Sequence, residues 1–407
     1  MTNVKPADRL SCVKEYYFSR KLSEIARLRE EGHDIVSLAI GSPDLPPPPQ
    51  AIETLCKVAH DAHAHGYQPT KGTPELRHAM ARFYKRHFGV ELDAEREILP
   101  LIGSKEGILH TTLAFVNTGD TVLVPDPGYP TYTSLPTLLG ANVVHYPLKA
   151  DDDYQPDFDF LEKFDTSRVR MLWMNYPNMP TGAKPQRETY ERIVRFARER
   201  GIVVVNDNPY SFILSEGEKL SIMQVEGAKD CCIELNSMSK SHNMPGWRVG
   251  MLVGNAEFVG WALKVKSNID SGTFRGLQLA AASAIDVADV WHREYNVEVY
   301  ARRRVLGEAV LKTLGVEADF SKQTGMFLWA HIPENHPLLP ALGAATAEST
   351  LSERFADYVL KQAEVFITPG FIFGKGGDHC VRLSLCASEE RLTEALKRVK
   401  AMMTTLV

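Results

Sequence analysis

From about residue 97 the chain alternates short, unbroken apolar runs with segments of helical period, and most of the runs end in a turn or a helix-capping signal. Runs at Ile98 to Ile102, Thr121 to Val124, Val143 to Tyr146, Val169 to Met174, Ile202 to Asn206, Ile233 to Asn236 and Val249 to Val253 read as strands. Lys105 to Val116, Gln186 to Arg200 and Ala256 to Lys266 read as helices between them. Ile202-Val203-Val204-Val205 is apolar at every position, which suits a strand covered on both faces rather than one with a wet side. Crossovers of this kind predict an α/β fold in three layers, with helices on both faces of a mostly parallel sheet.

The flanks follow a different pattern. Residues 21–31 predict a short amphipathic helix (Leu22, Ile25, Ala26, Leu28) stopped by Gly32, and Leu45 to Pro49 is a proline tract that reads as a stiff extended connector. Towards the other end the pattern predicts a long helix over 291–313, strands at Gly325 to His331 and Val381 to Leu385, and helices near 350–363 and from Glu389. The simplest division is a large domain over 50–288 and a smaller α+β domain built from 1–49 and 289–407.

Composition narrows the function. With 46 basic and 51 acidic side chains the formal charge is -5, and neither sign forms a block, so no nucleic-acid or membrane partner is indicated. Met1 to Leu10 lacks the apolar core of a secretory signal, and the longest apolar runs fall far short of the roughly 18 residues a bilayer demands. A cytoplasmic location is the expectation. Cys12, Cys56, Cys231, Cys232, Cys380 and Cys386 form no CxxC pair, and reduced thiols are expected, with a redox role for adjacent Cys231 and Cys232 as the alternative. His60, His63 and His65 lack a completing carboxylate or thiol, so no metal is expected.

The chemistry concentrates in loops that follow the predicted strands, where open α/β sheets build their sites. Ser237-Met238-Ser239-Lys240-Ser241-His242-Asn243-Met244-Pro245-Gly246-Trp247-Arg248 places one lysine directly after a strand, among small hydroxyls, with an arginine eight residues on. A lysine is ordinarily a solvated charge. Desolvated in such a loop, it has a lowered pKa and an amine free to attack a carbonyl and form a Schiff base, while Ser237, Ser239 and Arg248 offer contacts to a phosphate. Gly103-Ser104-Lys105-Glu106-Gly107 joins a strand to a helix and exposes backbone N–H groups, either an anion site or an ordinary turn. Asp207, in Asn206-Asp207-Asn208-Pro209-Tyr210, is read by itself as a turn former. Arg382, between Val381 and Leu383, is a charge in a strand that either faces solvent at an edge or binds something.

Together these segments resemble the class I and II aminotransferases, pyridoxal 5'-phosphate enzymes of fold type I. The resemblance runs from Ser37-Leu38-Ala39-Ile40-Gly41-Ser42-Pro43-Asp44 to Val381-Arg382-Leu383-Ser384. It implies that Lys240 carries the cofactor and shuttles the substrate proton, and that Asp207 holds the pyridine nitrogen protonated while Tyr210 donates to the phenolic oxygen. It further implies a phosphate cup at Gly103, Ser104 and Lys105, completed by Ser237, Ser239 and Arg248. Tyr129, in Pro127-Gly128-Tyr129-Pro130, would stack on the ring. Tyr67, in Gly66-Tyr67-Gln68-Pro69-Thr70-Lys71-Gly72, would reach the neighbouring subunit's phosphate and make a homodimer with shared sites functional. Arg382 would pair with the substrate α-carboxylate, with Ile40 and Gly41 closing the same pocket.

The implied activity moves an amino group between an L-amino acid and a 2-oxo acid in two half-reactions, with glutamate and 2-oxoglutarate as the expected amine couple. A lyase or decarboxylase on the same fold is the alternative, because the cofactor stabilises carbanions whichever bond breaks. A DNA-binding regulator is disfavoured by the roughly 34 residues ahead of the first strand, too few for an added domain. Lys266-Ser267-Asn268-Ile269-Asp270-Ser271-Gly272-Thr273-Phe274 looks like a segment of LL-diaminopimelate aminotransferases, and Met238 to Arg248 is also close to alanine-forming and aspartate enzymes. One position departs from the pattern. In Tyr176-Pro177-Asn178-Met179-Pro180-Thr181-Gly182, Met179 stands where the resembled family has an asparagine that donates to the phenolic oxygen.

Overall fold

A computed structural model describes residues 4–405 apart from Lys14, Tyr16, Glu216 and residues 344–348. The first three residues of the Met1 to Leu10 stretch therefore lie outside the described set. The described residues form twelve strands: β1 (Val36–Ser37), β2 (Ile98–Leu101), β3 (Thr121–Asp126), β4 (Asn142–Pro147), β5 (Val169–Met174), β6 (Val203–Asp207), β7 (Cys232–Ser237), β8 (Gly250–Gly254), β9 (Phe327–His331), β10 (Val365–Phe366), β11 (Thr368–Pro369) and β12 (Cys380–Ser384).

Seven of them form one sheet in the order β2-β8-β7-β6-β5-β3-β4. All pairings within it are parallel except those of β8, which runs antiparallel to both β7 and β2. β5 to β7 are buried almost throughout, which is why their sequences show no polar alternation. Two apolar clusters cover the sheet's faces, one around Tyr84, Tyr190, Ile193 and Ala280, the other around Ile108, Tyr132, Trp173 and Val259. The expected three-layer α/β fold is therefore present. From β3 the chain steps outward to β4 and then returns to the other side of β3 as β5, so strand order reverses there. Ligands of open α/β sheets sit in the crevice beyond the carboxyl ends of the strands at such a reversal.

A second body has its own core, including Trp329, Phe355, Val381 and Leu383. Its three-stranded antiparallel sheet has the order β11-β12-β9, and β1 pairs in parallel with β10. The helix Tyr17–Glu30 lies on this body, starting four residues earlier than the sequence pattern suggests. Its Lys21 is buried and bridges Asp357 at 2.7 Å and Glu24 at 2.8 Å, so the helix is pinned by a shared cation as well as by Ile25.

The long helix expected over 291–313 is not continuous. A helical turn at Asp289–His292 and the helix Val299–Thr313 flank a π-helical stretch, Arg293–Glu298. Asn296 explains the interruption. Its backbone carbonyl accepts from Leu214 N at 3.0 Å and its side-chain amide donates to Ser241 O at 2.7 Å, which ties the widened turn to the loop after β7. Among the described residues no helix is long and apolar enough to cross a membrane.

Candidate active site

The carboxyl ends of β3, β5, β6 and β7 open into a cavity of about 430 Å³, a size typical of small-molecule sites. Ile40, Gly41, Ser104, Lys105, Tyr129, Asp207, Tyr210, Ser237, Ser239, Lys240, Arg248 and Arg382 all line it, so segments from nearly the whole chain converge there. Gly103 and Tyr67 do not. Gly103 serves the cavity indirectly: at φ +75° it adopts a backbone natural to glycine, and a Cβ there would collide with the Arg248 guanidinium. Tyr67 lies on a loop away from its own chain's cavity and is 94% exposed.

β7 ends at Ser237, whose Oγ accepts from Ser239 N at 3.2 Å and caps the turn Met238–Ser241 that carries Lys240. The Lys240 Nζ donates to the backbone carbonyl of Gly41. Burial depresses its pKa, and the nearby cations Arg382 and Arg248 push in the same direction. Eight residues on, Arg248 is held at φ +55°, a conformation costly for a side-chain-bearing residue. Its Nη1 donates to Pro245 O at 2.9 Å and to Ser239 Oγ at 3.3 Å. Gly250 lets β8 approach this corner, since a Cβ there would stand 2.8 Å from Ser104 N. Backbone N–H groups at the start of the helix Ser104–Phe115, two serine hydroxyls and a guanidinium thus meet in one cup, which suits a phosphate.

Asp207 closes β6 on the cavity floor. Its Oδ2 accepts from Tyr132 Oη at 2.7 Å, while its Oδ1 is buried with no hydrogen-bond partner among the described residues. Burial pushes its carboxyl up to about 7, against the opposing Tyr132 hydrogen bond and with a small push from Glu234. Tyr132 is itself fixed by stacking on Trp173, ring centroids 4.8 Å apart and 7° from parallel. Asn175, just past β5, donates to Asp207 O at 2.6 Å and accepts from Met179 N at 2.8 Å, so it ties two cavity segments together. The sequence reading did not include Tyr132 or Asn175. Their signals are modest: Tyr132 stands three residues after Tyr129 in a helical turn, and Asn175 directly follows a buried strand.

Arg382 does not face solvent at an edge. It sits on β12, the central strand of its sheet, and is 4% exposed. Its guanidinium lies 4.0 Å from the ring centroid of Phe327, 4.7 Å from that of Phe373 and 5.9 Å from that of Phe18. Nη2 donates to Ala39 O at 2.7 Å and Nη1 approaches Met179 Sδ at 3.3 Å. Ser384 Oγ, donating to Ile40 O at 2.9 Å, and Thr368 Oγ1, donating to Ala39 O at 3.1 Å, hold the Ala39 to Gly41 backbone against β12. Gly41 is required by this packing, because a Cβ there would enter the Phe327 ring. Asn178 bonds Asn175 O and Thr181 and so stays inside its own turn, leaving Met179 at the cavity wall.

A sequence profile described as aminotransferase class I and II matches residues 33–399. The chain belongs to that family. It is 38% identical over 398 residues to an LL-diaminopimelate aminotransferase of Dehalococcoides mccartyi, covering 97% of this chain and 98% of the relative. Another LL-diaminopimelate aminotransferase, from Aquifex aeolicus, is 38% identical over 395 residues, with 97% and 98% coverage. Among solved structures, the substrate-bound BacF of Bacillus subtilis superposes with a TM-score of 0.89 at 33% identity, covering 98% of each chain. A Thermus thermophilus aspartate aminotransferase mutant gives 0.86 at 27% identity over 98% of this chain and 100% of that one.

The protein is a pyridoxal-phosphate-dependent aminotransferase of fold type I, acting on amino acids and 2-oxo acids. Its cavity fits that cofactor on independent grounds. The cup matches a phosphate, the partnerless Asp207 Oδ1 matches a protonated ring nitrogen, and the depressed pKa of Lys240 matches an amine that must react with an aldehyde.

Proposed function

We propose that this aminotransferase works through Lys240 as the cofactor-bearing and proton-moving residue, with Arg382 as the anchor for the α-carboxylate. Pyridoxal phosphate, when bound, supplies an aldehyde that links to amines and a ring that withdraws electrons from the bonds at the substrate α-carbon. The chain's residues decide which of those bonds reacts. Arg248, Ser237, Ser239 and the backbone N–H groups of Ser104 and Lys105 hold the phosphate, and Gly103 leaves room for the guanidinium. Asp207 gives its free oxygen to the ring nitrogen and keeps that nitrogen protonated, positioned by Tyr132. Tyr210, also on the cavity wall, would donate to the phenolic oxygen, and Tyr129 would stack on the ring.

Arg382 offers a planar pair of N–H donors inside an aromatic surround, so an α-carboxylate is taken from water and fixed in orientation. With the carboxylate so held, Lys240, whose amine pKa is lowered by burial, is the base that would take the α-proton. Proton transfer at the α-carbon then outcompetes loss of the carboxylate, which stays ion-paired. This favours transfer over the lyase or decarboxylase alternative. The single observation that carries the reading is the convergence of Lys240, Asp207, Arg248 and Arg382 on one cavity.

Three finer points belong to the same proposal. Glutamate and 2-oxoglutarate form the recurring amine couple; the relatives' names point to LL-diaminopimelate as the alternative substrate. Tyr67, almost fully exposed, completes the cavity of a second copy, so the working unit is a homodimer with shared sites. The domain boundaries fall at 49/50 and 288/289. Borohydride reduction of the loaded protein followed by peptide mapping tests the central assignment: the cofactor is found on Lys240, and a label on another lysine contradicts it.

A further inference from the structure

We infer that the amino acid whose amine this enzyme exchanges carries a large apolar side chain, selected by Phe18 and Leu22. The inference rests on the proposed roles of Lys240 and Arg382, because those two residues engage the α-amine and the α-carboxylate and leave the substrate side chain to meet the rest of the cavity lining.

Most of that remaining lining is apolar. Phe18 and Leu22 are four residues apart on the helix Tyr17–Glu30, so they share one face, and both line the cavity. Phe18 is buried and Leu22 is 41% exposed, which places the first inside the wall and the second at its rim. Ile40, Phe327, Phe373 and Met179 continue the same surface around Arg382. The wall is rigid on the helix side, because Lys21, between the two selecting residues, is locked to Asp357 and Glu24.

Five charged residues line the cavity among those described, and four of them, Asp207, Lys240, Arg248 and Arg382, are committed to the cofactor and the α-carboxylate. The fifth, Lys105, stands beside the phosphate cup in sequence and not on the Phe18 helix. A side chain ending in a carboxylate or an ammonium and laid against Phe18 and Leu22 loses its hydration to a surface that cannot hydrogen-bond. A phenyl or branched aliphatic side chain placed there removes apolar surface from water on both partners. Glutamate then serves as the weaker-binding amine partner.

Unreactive acids without an amine separate this inference from the chemistry. Calorimetric titration of the loaded enzyme with 3-phenylpropanoate, 4-methylpentanoate and glutarate reads the wall alone. The two apolar acids are expected to bind roughly tenfold or more tightly than glutarate. Leu22→Arg, at an exposed rim position, is expected to shift the preference towards glutarate by about tenfold, and Phe18→Leu to weaken 3-phenylpropanoate selectively. Glutarate binding as tightly as the apolar acids to the wild type overturns the inference, as does a Leu22→Arg variant with an unchanged ratio. Failure of the underlying reading is seen separately, as the absence of amine transfer from every amino acid tested, LL-diaminopimelate included, while the binding ratio still reports on the wall.

Discussion

The two halves of the cavity are built in opposite ways. The half assigned to the cofactor is polar and comes from strand ends of one sheet, so each group ends a strand or follows one by a few residues: Asp207 ends β6, Lys240 follows β7 and Tyr129 follows β3. The half assigned to the substrate is mostly apolar and is assembled from the helix Tyr17–Glu30, the segment before Gly41, β9, β12 and the turn at Phe373. Within it Arg382 is the only charged residue among those described as lining that side. A ring-bearing phosphate needs several fixed donors, which a loop can encode in consecutive residues. A variable side chain needs only a surface of suitable shape, which distant residues can supply.

Changes in the first half are expected to affect every substrate alike. Asp207→Ala removes the proposed partner of the ring nitrogen and is expected to lower transfer with all amino acids by about a hundredfold or more, with weaker cofactor retention. The check is kcat with two unlike amino acids together with the cofactor dissociation constant; an effect confined to one substrate breaks the distinction. Changes in the second half should be felt as substrate binding. Arg382→Lys keeps the charge but loses the fork, and kcat/KM for amino acids is expected to fall about tenfold to a hundredfold while cofactor affinity holds. Loss of cofactor in that variant contradicts the division.

Asp207 also gives the cofactor half a pH signature. Its folded carboxyl is raised from 3.8 to about 7, so the cofactor-free chain gains stability from the retained proton below the unfolded value and loses it as pH rises through about 7. The melting temperature of the cofactor-free protein is therefore expected to decline from about pH 4 to about pH 7 and to level off above that, and Asp207→Asn to flatten the decline. A wild-type profile that is flat or rises there breaks the account of Asp207. The smallest expected effect lies where the halves touch. Met179→Asn introduces an amide donor beside Arg382, and the pH midpoint of the bound cofactor's visible absorption is expected to fall by a fraction of a unit to about one unit. A midpoint that stays in place removes any role for Met179 in tuning the cofactor.

The same contrast explains what was legible in the sequence. The parallel sheet could be read because β5 to β7 are continuous apolar runs, and the motif residues because each lies at the end of such a run. Arg382 was legible as a charge in a strand, although only the structure shows that strand to be central. Phe18 and Leu22 were not, because an amphipathic helix gives no sign of which body it packs on, and the helix begins at Tyr17 rather than in the region of clearest periodicity. Tyr132 was missed because its role depends on contact with Asp207, 75 residues away. The break at Arg293–Glu298 was missed for a similar reason: helical propensity is local, and Asn296 is drawn out by Ser241 and Leu214.

The most direct test is a single half-reaction. The loaded enzyme is mixed with one L-amino acid in the absence of any 2-oxo acid, and the products are measured by mass spectrometry. The account predicts about one equivalent of the matching 2-oxo acid per cavity, with the amine retained on the protein-bound cofactor, and none from Lys240→Ala. Release of carbon dioxide or free ammonia instead, or equal yield from the Lys240 variant, would contradict it.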